Sequence, residues 1–385
     1  MRRLRQGLAL LGALALAGCA TVVPRTTAPT APPPPRTTAP APTTGLPTDT
    51  ERNRVALLVP LTGSNAAVGQ SIANATTMAL LDTKTERLRV TTYDTGANPA
   101  EAARRAVMEG NKLILGPLTA DEVKAVAPVA RAAHVPVIGY SNDASVAGNG
   151  VYLLGYAPSQ SIARVVSYAH GKGAKTFAAL VPKGVYGERA GTAFLAAVKA
   201  AGGTVVGMET FDRSATSVSA AVKRLSGLSG YDALLIADIG RIAVQIAPQV
   251  KSGGSANAKI MGTELWNTDT SISTSPSLRG AWFASVSDGL YRTLASKYRT
   301  SYGGAPYRLA SLGYDSVLLA VRIAQDWRAG TDFPVARLTD PEGFAGIDGA
   351  FRFGGNGLAE RALEVQQVEA NGVTVVDAAP KGFGK

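Results

Sequence analysis

The chain has 385 residues, with 39 Lys and Arg against 28 Asp and Glu, a formal charge of +11 at pH 7. Its length allows two compact lobes with separate cores, and a hydrophobic content of 46% is that of a globular protein. A single cysteine, Cys19, excludes an internal disulfide and a cysteine-based zinc site, and two histidines, His134 and His170, are too few for a histidine-rich one. No metal or cofactor is therefore expected. The basic excess is diffuse. No dense Lys/Arg block with interleaved aromatics occurs, so nucleic acid is not an expected partner.

Residues 1–19 read in three parts: a basic start (Arg2, Arg3, Arg5), an apolar run from Leu8 to Ala17, and Leu16-Ala17-Gly18-Cys19. The apolar run is too short to span a bilayer and has the length of a secretory h-region. Small residues directly before a cysteine resemble the lipobox of bacterial lipoproteins. That resemblance implies cleavage after residue 18, lipidation of Cys19 and attachment to a membrane through the acyl chains. Ala20 in the next position implies the periplasmic face of the outer membrane. Removing the three early arginines lowers the basic count from 39 to 36 against 28 acidic residues, a net charge of +8. Residues 19–52 then read as a lipidated cysteine and a Pro/Thr-rich linker centred on Pro32-Pro33-Pro34-Pro35. Such a stretch favours polyproline II at ~3.1 Å per residue, a spacer on the order of 90 Å when extended.

From Arg54 onward, apolar runs alternate with helical periodicity. Residues 55–59, 113–115, 135–138, 177–181 and 233–236 are continuous rather than alternating, the pattern of parallel strands covered by helices on both faces. Val68, Ile72, Ala75 and Ala79 form one helical stripe; Ile162, Val165, Val166 and Ala169 form another. Asn98-Pro99-Ala100-Glu101 predicts an N-cap, a proline in the first turn and a capping box, and Thr119-Ala120-Asp121-Glu122 predicts a second box. The repeated βα order predicts an α/β fold of two doubly wound, Rossmann-like lobes.

Val59-Pro60-Leu61-Thr62-Gly63-Ser64 followed by Gly69 resembles the opening of type I periplasmic binding proteins. Leu115-Gly116-Pro117-Leu118-Thr119, Val185-Tyr186-Gly187-Glu188, Ile260-Met261-Gly262-Thr263-Glu264 and Gly313-Tyr314-Asp315 continue the resemblance. Gly346-Ile347-Asp348-Gly349-Ala350-Phe351-Arg352-Phe353, with residues 357–368, looks like the terminal hairpin of the penicillin-binding protein activators in that family. The likeness runs over roughly residues 53–370. It implies a hinge of three strands, lobe 1 at 53–156 plus 264–330, and lobe 2 at 157–263 plus 331–385.

No Gly-x-Ser-x-Gly, His-Glu-x-x-His, Ser-x-x-Lys or Walker motif is present, and an enzyme is not expected. In open α/β sheets ligands lie beyond the carboxyl ends of the strands, which nominates the loops at 118–119, 140–142, 182–186, 238–239 and 263–264. The resemblance to amino-acid binders implies Thr119, Ser141 and Asn142 for a ligand anion, Tyr186 as a cover and Glu264 for a cation. Thr119 also reads as a plain N-cap, Tyr186 as a helix start and Glu264 as a hinge salt-bridge member. Asp143 would repel an anion.

Two functions follow. The lipobox, spacer and terminal hairpin imply a lipoprotein that activates a peptidoglycan synthase, with a class A penicillin-binding protein as partner. The alternative is a receptor that delivers amino acids or similar solutes to an ABC importer, the cleft holding a small molecule or wall peptide.

Overall fold

The structure, a computed structural model, describes residues 51–383 apart from positions 229 and 268. The chain divides into a unit of residues 1–48 and one of residues 49–385, and all described residues belong to the second. The expected signal segment, Cys19 and the linker as far as residue 50 lie outside the described residues.

β1 (Asn53–Val59) is buried on both faces. Successive strand residues point to opposite sides, so it feeds two cores. Val55, Leu57 and Val59 pack beneath α1 (Ala66–Thr83), while Ala56 and Leu58 face α2 (Pro99–Met108) and α3 (Ala120–Ala132). Around β1 run β2 (Leu88–Asp94), β3 (Leu113–Leu115), β4 (Val137–Gly139) and β5 (Val151–Leu153), all parallel, in the order β2-β1-β3-β4-β5. The capping box at Thr119 forms as predicted. At Asn98 only half of the predicted box forms. The Asn98 carboxamide accepts from the Glu101 amide at 3.0 Å, but the Glu101 carboxylate turns to Arg104.

α4 (Pro158–Gly171) opens a second lobe whose sheet begins with β6 (Thr176–Pro182). It continues through α5 (Val185–Ala201), β7 (Thr204–Phe211), α6 (Ala215–Ser226), β8 (Ala233–Ile236), α7 (Gly240–Lys251), β9 (Lys259–Gly262) and β10 (Trp282–Ser285). The chain then returns to the first lobe. Tyr291, Leu294 and Tyr298 of α8 (Gly289–Tyr302) pack on Met78 of α1, and Leu312, Val317 and Leu319 of α9 (Ala310–Ala324) enter the first core. β11 (Phe344–Gly346), β12 (Gly349–Phe353) and β13 (Ala359–Arg361) make a small antiparallel sheet. Finally β14 (Glu364–Glu369) and β15 (Gly372–Asp377) complete the second sheet, in the order β15-β14-β10-β9-β8-β6-β7.

The α/β class and the two doubly wound lobes match the sequence reading. The chain crosses between the lobes at 154–157, 286–288 and 362–363, the second and third elsewhere than expected. The first return was expected at 264, yet Trp282 and Phe283 pair in parallel with Met261 and Gly262 of the second sheet. The second was expected at 331, yet Phe344, Phe351, Phe353 and Ala359 are buried in the first core. The reason is the same in both cases. Three- to five-residue strands with weak local patterning are assigned to a lobe by their nonlocal pairing and burial.

Candidate functional site

The carboxyl ends of β3, β4 and β6 and the turn after β9 face one another across a cleft of about 830 Å³ between the lobes. Leu118, Thr119, Tyr140, Ser141 and Asn142 form much of the first wall, with Val185, Arg189, Glu264 and Leu265 opposite. Two proline–glycine contacts fix where these walls begin. A Cβ on Gly69 would lie 1.8 Å from the Pro60 carbonyl oxygen, and one on Gly187 would lie 1.5 Å from that of Pro182. Only glycine lets α1 and α5 pack this closely on their strand ends. The Leu61-Thr62 turn is held by Asp94, whose carboxylate accepts from the Leu61 amide at 2.7 Å and the Thr62 hydroxyl at 2.8 Å.

Four of the five residues nominated from the sequence line the cleft: Thr119, Ser141, Asn142 and Glu264. The Thr119 hydroxyl donates to the Glu122 carboxylate at 2.9 Å, and the Thr119 amide reaches the same oxygen at 2.8 Å. The side chain is thus engaged as an N-cap. The Ser141 hydroxyl accepts from the Asp143 amide at 3.1 Å, whereas Asn142 is exposed to the cleft. Tyr186 stands behind the wall. Its ring packs against the second-lobe core, and its hydroxyl reaches Thr263 Oγ1 at 3.0 Å and Glu264 Oε1 at 3.1 Å. In this arrangement it meets the cleft through Glu264 rather than covering a ligand itself.

Glu264 also receives a hydrogen bond from Ser161. Burial pushes its carboxyl above the usual carboxylate range, against the pull of the Ser161 and Tyr186 hydroxyls. The structure gives it hydroxyl partners, not the salt bridge that the hinge reading allowed. Asp143 behaves in the opposite way. Burial raises it, but hydrogen bonds from Ser145 and the Arg189 guanidinium outweigh that and hold it below the usual range. Arg189 Nη2 lies 2.6 Å from Asp143 Oδ2. The anionic repulsion expected from Asp143 is therefore offset by a cation of the opposite lobe, and the pair ties the two lobes across the cleft.

The hinge side carries a polar cluster that the sequence reading did not nominate. Arg308 Nη1 stands 2.8 Å from Asp348 Oδ1, and its Nη2 stands 3.4 Å from Asp288. Tyr156 donates to Asp348 Oδ2 at 2.5 Å. Arg361, with 2% of its side chain exposed, lies between the rings of Tyr156 and Phe351 and donates to the Leu154 carbonyl at 2.7 Å. Burial raises Asp348, but Arg308 and Arg361 hold it low; burial and the Asp348 charge push Asp315 up. Asp315 and Asp348 sit in two of the segments quoted for the resemblance, so their acidity was the available signal. Arg308 and Arg361 carried none, because only folding makes them neighbours. Among the described residues, no group of three or more His, Cys, Asp or Glu side chains is placed to hold a metal ion.

Comparisons agree with this geometry. The profile of the family described as "Periplasmic binding protein" matches residues 53–373. A putative branched-chain amino acid ABC transporter from Rhodospirillum rubrum is 20% identical, covers 84% of this chain and 100% of its own, and superposes with a TM-score of 0.73. A substrate binding protein from Streptococcus pneumoniae in complex with isoleucine is 19% identical, with coverage of 86% and 100% and a TM-score of 0.61. A solute binding protein of an ABC transporter from Rhodopseudomonas palustris, in complex with 3,4-dihydroxybenzoic acid, is 18% identical, with coverage of 87% and 98% and a TM-score of 0.63. At these identities the likeness is one of fold. An uncharacterized protein of Rickettsia prowazekii is 31% identical over 136 residues, and the match spans 36% of that protein's length and 35% of this chain.

Proposed function

We propose that this chain, which belongs to the periplasmic binding protein family, is a receptor that captures a small carboxylate-bearing solute between its lobes. The observation that carries the reading is the cleft, about 830 Å³ with apolar walls at Leu118, Tyr140 and Leu265 and polar groups at Ser141, Asn142 and Glu264. A ligand carboxylate meets Asn142 and the first amides of α3, where unpaired N–H groups and the helix dipole favour an anion. Glu264, whose carboxyl burial pushes above the usual carboxylate range, is the acidic group placed to meet a ligand ammonium, which would draw it back toward the charged form. Closure about the hinge excludes water, and the closed form is what an importer recognises. Two solved relatives in this fold hold isoleucine and 3,4-dihydroxybenzoic acid, which supports amino acids and aromatic acids as the first compounds to test. The N-terminal sequence supports a tether through Cys19 to the periplasmic face of the outer membrane.

A second reading, activation of a class A penicillin-binding protein, is favoured by the same tether and spacer and by the outermost strand β15. That strand leaves Val373 and Val375 exposed at 41% and 53%. Thermal unfolding of the full chain with the common amino acids, benzoates and short wall peptides separates the two. A true ligand at a hundredfold excess over its Kd adds about 2.7 kcal/mol of stability. If none of these compounds stabilises the fold and a purified class A synthase is captured in a pull-down, the receptor reading fails and the second one stands.

A further inference from the structure

Three buried acids of this protein stand against an arginine. Asp143 has Arg189 at 2.6 Å, Asp238 has Arg213 at 3.0 Å and Asp348 has Arg308 at 2.8 Å. Glu264 on the cleft wall differs. Among the described residues it forms no ion pair, and its side-chain partners are two hydroxyls. Ser161, 1% exposed near the start of α4, donates to Glu264 Oε2, and Tyr186, in the first turn of α5, donates to Oε1 at 3.1 Å. All three residues belong to the second lobe, so the carboxyl is held in place before the lobes close on a ligand.

Each hydroxyl has a second partner. Ser161 Oγ lies 3.1 Å from the Pro158 carbonyl oxygen, and Tyr186 Oη lies 3.0 Å from Thr263 Oγ1. A hydroxyl carries one proton and also accepts. When Glu264 is ionised, both protons point at its two oxygens. When it is protonated, Ser161 turns its proton to Pro158 and Tyr186 turns its own to Thr263, and the carboxyl O–H donates to one of the freed hydroxyl oxygens. Both forms therefore keep hydrogen bonds without any side chain changing place. Burial favours the neutral form, and the two hydroxyls pull toward the charged one.

We propose that Ser161 and Tyr186 are positioning residues that act through Glu264: by donating to its ionised carboxylate, they set the pH range over which the receptor prefers an acid carrying an ammonium group to the same acid without one. This role rests on the receptor reading above. Neither residue lines the cleft itself, so each reaches a ligand only by way of Glu264. Other charges face this carboxyl. Arg308 lines the cleft with it, and Arg308 and Arg361 stand on its hinge side with Asp288, Asp315 and Asp348 behind them. Arg189 with Asp143 and Lys124 with Asp121 stand on the cleft walls, and Asp238 acts on Tyr186. Those groups act on both members of a matched ligand pair. The ammonium is met by Glu264, so the ratio of the two affinities isolates it.

The test is calorimetric titration of the full chain between about pH 5 and about pH 9 with such pairs: isoleucine against 3-methylpentanoate, phenylalanine against 3-phenylpropanoate, and 4-(aminomethyl)benzoate against 4-methylbenzoate. In at least one pair the ammonium compound binds tighter, and its advantage grows as pH rises through the Glu264 titration and then levels off. Tyr186→Phe and Ser161→Ala each remove one donor to the charged form and move that growth about one unit to higher pH. Glu264→Gln abolishes the advantage at every pH. A plain packing role would lower both affinities together and leave the pH of the growth where it was, and that result overturns the proposal. So does an advantage that is absent from the parent or survives Glu264→Gln. These outcomes leave the receptor reading intact, because the acids still bind. If no compound in any pair binds, the receptor reading itself falls, and this role with it.

Discussion

Around the outer cleft, polar side chains close on near neighbours. Thr119 is taken up by Glu122, Ser141 by the Asp143 amide, and Asp143 by Ser145 and by Arg189 across the gap. In the hinge cluster the same kinds of group come from remote parts of the chain, at 156, 308, 348 and 361, and several of their buried atoms make no hydrogen bond. The outer groups belong to turns and caps that would form around any strand end of this sequence. The inner groups are charged, buried and mutually dependent. Removing one member is therefore mild in the first region and severe in the second, because the low-dielectric interior leaves no water to replace a lost counter-charge.

The largest expected effect breaks the inner side of this contrast. Asp348→Asn removes the carboxylate shared by Arg308, Tyr156 and Arg361 and is expected to cost about 3–5 kcal/mol in urea unfolding. A loss below about 1 kcal/mol would mean the cluster is no more interdependent than the cleft rim.

A pH series gives a medium effect with a definite sign. Asp315 is raised by burial and by Asp348, so the folded state keeps a proton that the unfolded chain releases above an aspartate's ordinary 3.8. Stability therefore falls as pH rises from there up to the raised folded value, by at most about 1.4 kcal/mol per pH unit for this one proton. Asp143, held low, acts in the other direction, its contribution being lost as pH drops below 3.8. Asp315→Asn is expected to flatten the fall on the higher-pH side, read as urea midpoints between about pH 4 and about pH 8. An unchanged slope would place the proton elsewhere.

The smallest effect sharpens the outer side. Arg189→Ala removes a pair whose arginine is 36% exposed, and should cost under about 1 kcal/mol. Its visible consequence is geometric, since the pair joins the lobes. Small-angle X-ray scattering of the ligand-free variant is expected to show a wider interlobe separation than the parent, and identical profiles would deny the pair any part in closure.

Some of this was legible in the order of residues alone. The apolar runs at 55–59 and 177–181 required burial on both faces, and the Thr119 capping box and Asn98 cap marked helix starts, because strand burial and helix capping are set by neighbours in sequence. The loops after those strands followed from the fold class, so four nominated residues were found on the cleft wall. Edge strands β2 and β7, whose faces are only partly buried, gave no comparable run. The lobe to which 282–285 and 344–361 belong, the pairing of Asp143 with Arg189, and the meeting of Tyr156, Arg308, Asp348 and Arg361 were decided by tertiary structure. Each depends on contacts between residues far apart in the chain, where strand pairing and charge compensation, rather than local propensity, select the arrangement.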